Sequence, residues 1–248
     1  MSDPRPLVSI VTATLNAADS LPVTAASVFE QRYRSLEYIV VDGGSTDGTV
    51  ELLTSGDVPT ARWISEPDDG IYDALNKGAG LARGKWLYFL GAGDRLHDRH
   101  VLDCMFERPL VETLLYGDVI LDQTGRRYGG RFSRRTIALR NICQQAILYP
   151  RALFERFGPF ETRYRVWADW AFNLRCFAAR NLYPQHRDLI VATYASDGFS
   201  SRRVDSHFLS DAEQLIRPLG EAAWWLYRAK HAARRALGKP PLVNQAAA

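Results

Sequence analysis

One pattern constrains this chain more than any other: from Leu7 to Leu90, short β-branched apolar runs alternate with stretches of helical spacing, and each run ends on polar or acidic residues. Leu7 to Thr14 predicts a buried strand, and Asn16 to Tyr33 a helix with Ala25, Val28 and Phe29 on one side. Leu36 to Val41 predicts a second strand that runs into Asp42-Gly-Gly-Ser-Thr-Asp-Gly-Thr, where Ser45 and Asp47 are both available to cap a helix over Thr49 to Leu53. Arg62 to Ser65 and Lys85 to Leu90 predict further strands, with a helix from Ile71 to Ala82 between them. This order implies an α/β fold with a mostly parallel, Rossmann-like central sheet and helices on both faces. Such sheets gather ligands at the carboxyl ends of their strands. Here those ends carry Thr12 and Asn16, Asp42, Glu66 to Asp69, and Gly91 to Asp94, so one site is expected to collect them.

After Leu114 the pattern changes. Leu114 to Leu121 and Leu189 to Tyr194 are strand-like, Arg126 to Phe132 reads as a glycine-punctuated hairpin, and Gln144 to Tyr149 as a short strand. Helices are expected over Arg151 to Phe157 and Trp167 to Ala179. We therefore expect one domain over 1–207, with a donor half at about 1–113 and an acceptor half at about 114–207, followed by a helical tail over 208–248. In that tail, Trp225, Leu226, Ala229, Ala232, Ala233, Ala236 and Leu237 share one helical face, while Arg228, His231, Arg234 and Arg235 share the other, with Lys230 at the border. A basic amphipathic helix with an interfacial tryptophan suits an anionic membrane surface; the same apolar face is equally suited to packing on its own domain.

Bulk properties narrow the class. A net charge of +3 is too mild to imply nucleic acid as a partner. Three scattered cysteines, without C-x-x-C spacing, fit a reducing cytoplasm and argue against a zinc or disulfide framework. The N-terminus is apolar too briefly for a signal peptide, and no apolar run reaches transmembrane length. The chain lacks a P-loop, H-E-x-x-H and G-x-S-x-G, and Gly78-Ala-Gly80-Leu-Ala-Arg-Gly84 follows a helix, unlike a dinucleotide fingerprint.

Three segments in order carry a resemblance: Asp42-Gly-Gly-Ser-Thr-Asp-Gly-Thr, then Glu66-Pro-Asp-Asp-Gly-Ile-Tyr-Asp-Ala-Leu-Asn-Lys-Gly, then Leu90-Gly-Ala-Gly-Asp94. Over roughly Leu7 to Ser201 the chain resembles the family 2 glycosyltransferases of GT-A fold, nearest to the branch assembling bacterial capsule, exopolysaccharide and lipopolysaccharide repeat units. The resemblance implies transfer from a nucleotide-diphospho-sugar to a saccharide or lipid-linked saccharide acceptor, with inversion. It implies that Thr12 and Asn16 border the nucleotide and that Asp42 accepts a hydrogen bond from the base; the local alternative is that Asp42 only stabilises the Gly-Gly turn. Asp73 and Asn76, one turn apart, are expected to face the nucleotide, and Lys77 to reach a phosphate unless it is simply solvated. Leu75 stands where the family often has arginine.

Asp94 matches the last acid of the family's metal motif, which implies Mg²⁺ or Mn²⁺ as cofactor, although the motif is thinned to Gly91-Ala-Gly-Asp94. Asp169 matches the catalytic base, flanked by Trp167 and Trp170, which either stack on a sugar and desolvate the carboxylate or belong to the core. Gln144 and Gln145 match an acceptor-side motif, or else form a glutamine pair held by loop backbone. Arg202 and Arg203 are phosphate-side candidates. The implied location is the cytoplasm, at the inner face of the membrane. Two rivals stay in view: a catalytically inactive nucleotide-sugar-binding scaffold, and a sugar nucleotidyltransferase, which Ala13-Thr-Leu-Asn-Ala serves poorly because it offers neither glycine nor a basic residue.

Overall fold

A computed structural model describes residues 7–107, 112–195 and 204–238. Its first half is the expected alternation: β1 (Val8–Thr14), α1 (Leu21–Phe29), β2 (Leu36–Asp42), α2 (Thr49–Ser55), β3 (Arg62–Ser65), α3 (Ile71–Leu81) and β4 (Trp86–Phe89). These four strands pair in parallel in the order β3-β2-β1-β4, with β1 central. The second half adds β5 (Arg95–Leu96), α4 (Val101–Phe106), β6 (Leu115–Leu121), β7 (Arg127–Tyr128), α5 (Arg134–Leu139), β8 (Ile147–Pro150), α6 (Arg151–Phe157), α7 (Ala168–Ala178), β9 (Gln185–Tyr194), α8 (Ser206–Ile216) and α9 (Glu221–Ala236). It continues the same sheet as β4-β8-β6-β9-β5, with β7 on β6. Here β8 runs antiparallel to both β4 and β6, so the sheet is parallel in the donor half and mixed beyond it.

Strand periodicity sorts the apolar side chains into two cores. Val8 and Ile10 of β1, Tyr38 and Val40 of β2, and Trp86 and Tyr88 of β4 meet Leu21, Ala25 and Val28 of α1 and Leu102 of α4. Val11, Ile39, Leu87 and Phe89 point the other way, against Tyr72 and Leu75 of α3 and a larger aromatic core built on α5 to α9. The α/β class and both helical layers are thus as the sequence implies.

Several details differ. The first helix begins only at Leu21, because Pro22 sets its first turn and Asn16 takes a left-handed conformation with φ of 50°. Phe29 is largely exposed, with its ring edge against Tyr38, while Ala25 and Val28 are buried as expected. Gln144–Ala146 is a 3-10 turn, and the strand starts at Ile147. The expected boundary at 207/208 lies inside α8, whose Phe208, Ala212 and Ile216 join the large core together with Ala223 and Tyr227 of α9. Among the described residues no helix is long and apolar enough to cross a membrane.

The approach of α3 to the sheet depends on one glycine. A Cβ at Gly78 would lie 2.3 Å from Cγ1 of Val11 and 3.2 Å from Cγ2 of Val41. Gly78→Ala should therefore destabilise the fold by about 1–3 kcal/mol, measured by urea unfolding, despite alanine's better helix propensity.

Candidate active site

The candidate residues lie at the carboxyl ends of β1, β2 and β4, in the 141–145 segment and in the first turn of α7, which α3 reaches through Tyr72. At the end of β2, Asp42 is fully buried. Its Oδ2 accepts from Gly44 N (3.0 Å), Ser45 N (2.9 Å) and Ser65 Oγ (2.7 Å), and its Oδ1 from Ser45 Oγ. This closes the turn from within, as an aspartate at a tight turn does. Ser45, engaged with Asp42 and with the amide of Asn16, does not cap α2; the N-cap is Gly48, without a side-chain cap, and Asp47 before it accepts from Thr49 N at 3.1 Å. Asn16 Oδ1 in turn accepts from Thr46 N at 2.9 Å, so the ends of β1 and β2 are laced together.

Asp169, in the first turn of α7, is buried, with 6% of its surface exposed. Its Oδ1 lies 2.7 Å from the Tyr72 hydroxyl, and its Oδ2 accepts from Asn141 Nδ2 at 2.6 Å. Asn141 is itself positioned: Asn173 Nδ2 donates to its Oδ1 (3.0 Å), and Tyr149 OH donates to Asn173 Oδ1 (3.2 Å). Burial pushes the Asp169 carboxyl up to about 6, against the pull of the Tyr72 and Asn141 hydrogen bonds.

Asp94 is the second buried carboxylate. Gln145 Nε2 donates to its Oδ2 at 2.7 Å and the Ala195 amide to its Oδ1 at 2.8 Å. Burial raises it to about 7, and these donors lower it in part. One segment therefore serves both acids, holding Asp169 through Asn141 and Asp94 through Gln145. Cys143, between them in sequence, lies within electrostatic reach of both. A carboxylate at position 91 would require the Asp94 side chain to shift, since a Cβ there would sit 2.7 Å from Asp94 Oδ2. The described residues hold no cluster of three metal-ligating side chains.

Comparison with known proteins decides what this geometry belongs to. Residues 9–107 match the model of "Glycosyl transferase family 2". A PGL/p-HBAD biosynthesis glycosyltransferase of Mycobacterium tuberculosis is 41% identical over 212 residues, spanning 82% of this chain and 83% of the relative. The chain belongs to glycosyl transferase family 2. S. aureus TarS 1-349 in complex with UDP shares the fold of this glycosyltransferase, with a TM-score of 0.66 and 17% identity over 92% of this chain and 71% of that one. So does the mannosyltransferase PcManGT from Pyrobaculum calidifontis in complex with GDP-Man and Mn2+, with a TM-score of 0.64 and 19% identity over 96% and 77%. The fold is therefore of GT-A type.

Within this glycosyltransferase several expected ligand contacts are engaged elsewhere. Thr12 is buried and its hydroxyl accepts from Tyr38 OH at 3.1 Å, because β1 is flanked on both sides and this position points inward. The Asn76 side chain is engaged within the protein. Its amide clamps the Phe160 backbone, donating to the carbonyl (2.8 Å) and accepting from the N–H (2.9 Å). Lys77 is neither free nor simply solvated: it ties the 66–73 loop together through Glu66 (2.9 Å), Asp73 (3.3 Å) and the Pro67 carbonyl (3.0 Å). Asp73 also accepts from Asp69 N at 3.2 Å.

Trp167 and Trp170 are core residues and offer no face to a sugar. They pack edge to face on each other, Trp170 stacks on Phe208, and its indole N–H donates to the Ile137 carbonyl at 2.7 Å. Gln144 keeps a buried Nε2 without an acceptor among the described residues, whereas Gln145 is committed to Asp94. Leu75, where the family often has arginine, is buried in the core. Arg202 and Arg203 fall outside the described residues.

Tyr72, Asn141 and Asn173 were not singled out from the sequence. Tyr72 lies inside the recognised Asp68 to Lys77 segment, but the two asparagines carry no local signal that would have marked them. Losing Asn141 leaves a buried carboxylate oxygen without its donor. Asn141→Ala should cost about 1–3 kcal/mol of stability when Asp169 is ionised. The loss should be smaller well below pH 6, where Asp169 is protonated, and denaturant melts on either side of that pH read the difference.

Proposed function

We propose that this glycosyltransferase moves a sugar from a nucleotide-diphospho-sugar onto an acceptor hydroxyl with inversion, in the assembly of a surface polysaccharide or glycolipid. The observation that carries the reading is the 141–145 segment, which holds two buried carboxylates by hydrogen bonds and so gives them distinct roles in one site. The UDP and GDP-Man complexes of the fold neighbours support the donor class, and the relative named for PGL/p-HBAD biosynthesis supports a glycan product.

In this reading the nucleotide lies across the ends of β1 and β2. Asp42 serves it indirectly, by fixing the Gly43–Ser45 turn and through it Asn16. The acceptor hydroxyl gives its proton to Asp169 as its oxygen attacks the anomeric carbon, and the bond from that carbon to the diphosphate breaks with the electron pair leaving on the nucleoside diphosphate. A carboxyl raised to about 6 is a stronger base than an exposed aspartate yet is ionised at neutral pH. The Tyr72 hydroxyl stabilises the anion. Once Asp169 is protonated, that hydroxyl has a second acceptor ready, the Val166 carbonyl, also at 2.7 Å.

The Asp94 carboxylate is the group that fits a divalent cation here. Each of its oxygens keeps a lone pair beyond its one hydrogen bond, and such cations bind through one or two carboxylates plus substrate phosphates. When bound, Mg²⁺ or Mn²⁺ would neutralise charge on the leaving diphosphate. With no cluster of three metal-ligating side chains among the described residues, the protein should bind Mn²⁺ measurably only with a nucleoside diphosphate present; calorimetry that found equal Mn²⁺ affinity with and without UDP or GDP would argue against this site. A lipid-linked acceptor would place the chain at the inner face of the cytoplasmic membrane, with α9 as the contact.

The test of the base is Asp169→Asn. It should reduce kcat by about 10²-fold or more, consistent with loss of general-base catalysis, while nucleoside diphosphate binding in a thermal-shift assay is retained. In the parent enzyme kcat/KM should rise with pH through about 6 as Asp169 ionises. Stability should run the opposite way. A carboxyl whose folded pKa is raised from the usual value of about 3.9 stabilises the fold below that value, and the contribution is lost as pH rises through about 6.

A further inference from the structure

The C-terminal helix packs a mixed face inward, with Trp224 against the large core. Tyr227 and Ala223 are buried, Lys230 is half-buried with Nζ donating to the Leu139 carbonyl at 2.9 Å, and His231 lies on the Tyr227 ring with centroids 4.2 Å apart. The apolar face points out: Trp225 is 60% exposed and Leu237 69%, with Leu226, Ala229, Ala232, Ala233 and Ala236 exposed between them. Along one edge of this face run Arg228 and Arg235, both exposed. Arg228 lies over Trp225, 5.0 Å from the ring centroid, and over Trp224 at 5.8 Å. Apart from Glu221 at its first position, which pairs with Arg217 at 3.6 Å, every charged residue of α9 is basic: Arg228, Lys230, Arg234 and Arg235.

We infer that this face of α9 docks on an anionic phospholipid bilayer, lying in the headgroup plane with Trp225, Leu226 and Leu237 inserted and Arg228 and Arg235 at the lipid phosphates. The chemistry selects this occupant. An apolar strip with an interfacial tryptophan and a mostly basic edge is what a helix needs to lie in an anionic interface. A second copy of the same face would bring Arg228 and Arg235 against their counterparts, while the nearby acids, Glu213 and Glu221, are already paired with Arg217. The consequence for catalysis rests on the lipid-linked reading of the acceptor. Lys230 holds the C-terminal end of α5, and two residues further along the chain Asn141 holds Asp169, so the docked face belongs to the acceptor side of the site.

The experiment is sedimentation of the full chain with vesicles of phosphatidylcholine alone or mixed with phosphatidylglycerol. Binding is expected to the mixed vesicles and to weaken as salt rises from about 0.1 M to about 1 M, where the Debye length falls from about 10 Å to about 3 Å. Trp225→Ser with Leu226→Ser should weaken it by about tenfold or more, since both lose buried apolar area, and Arg228→Gln with Arg235→Gln should remove the preference for anionic lipid. Equal binding by parent and the serine variant would overturn the inference. So would a concentration-dependent dimer in light scattering that the serine variant abolishes, since it would assign the face to a second copy. Nucleoside diphosphate binding, read on the same samples by thermal shift, reports on the donor reading separately and should be unchanged in both variants.

Discussion

Two carboxylates buried with neutral partners set the terms for the rest of the site. Taking an ionisable acid out of water disfavours its anion, and the surroundings must supply hydrogen bonds or the fold loses stability. Asp94 receives the Gln145 amide and the Ala195 N–H, while Asp169 receives Asn141 and Tyr72. An arginine or lysine in any of those places would drive the carboxyl pKa far down and leave a weak base. Neutral donors instead offset only part of the burial cost, which leaves Asp169 at about 6. The need for this balance explains why the 141–145 segment is neither strand nor helix over most of its length: it must present Asn141 to one acid and Gln145 to the other.

The same logic separates what the sequence reveals from what it conceals. β1 to β4 announce themselves because each is a short apolar run with one polar terminus, and the order of motifs along them is specific enough to indicate the family. Asp94 and Asp169 are visible because they stand where the resemblance to the family places its metal-motif acid and its base. Their partners are not visible. Asn141 and Asn173 lie 32 positions apart and meet only because α7 packs against the turn after α5. Thr12, Asn76, Trp167 and Trp170 show the opposite failure: they stand at or beside motif positions, yet their polar atoms or rings are consumed by packing. A motif fixes where the backbone goes, and whether a side chain on it faces ligand or core depends on elements that arrive later in the chain. α4 and α5 escaped the pattern for a related reason: at six residues each, they are too short to show a helical period.

The tail helix shows how far periodicity goes and where it stops. Spacing alone separates Trp225, Leu226 and the alanines from the basic residues, but it says nothing about which side meets the protein. An apolar face turned inward would be the ordinary outcome for a helix on a globular domain. Here a different interaction decides. Leu139 ends α5 with a carbonyl that has no partner within its own helix, and a lysine at a helix C-terminus both satisfies such a carbonyl and complements the helix dipole. Placing Lys230 there turns Tyr227 and Ala223 into the core and rotates Trp225 and Leu237 into the open. The burial of Tyr227, Ala223 and the lysine stem holds that orientation against the pull of the alanine strip. The helix thus buries an aromatic side, joined to α5 by the Lys230 contact, and exposes a second, apolar strip beside basic groups.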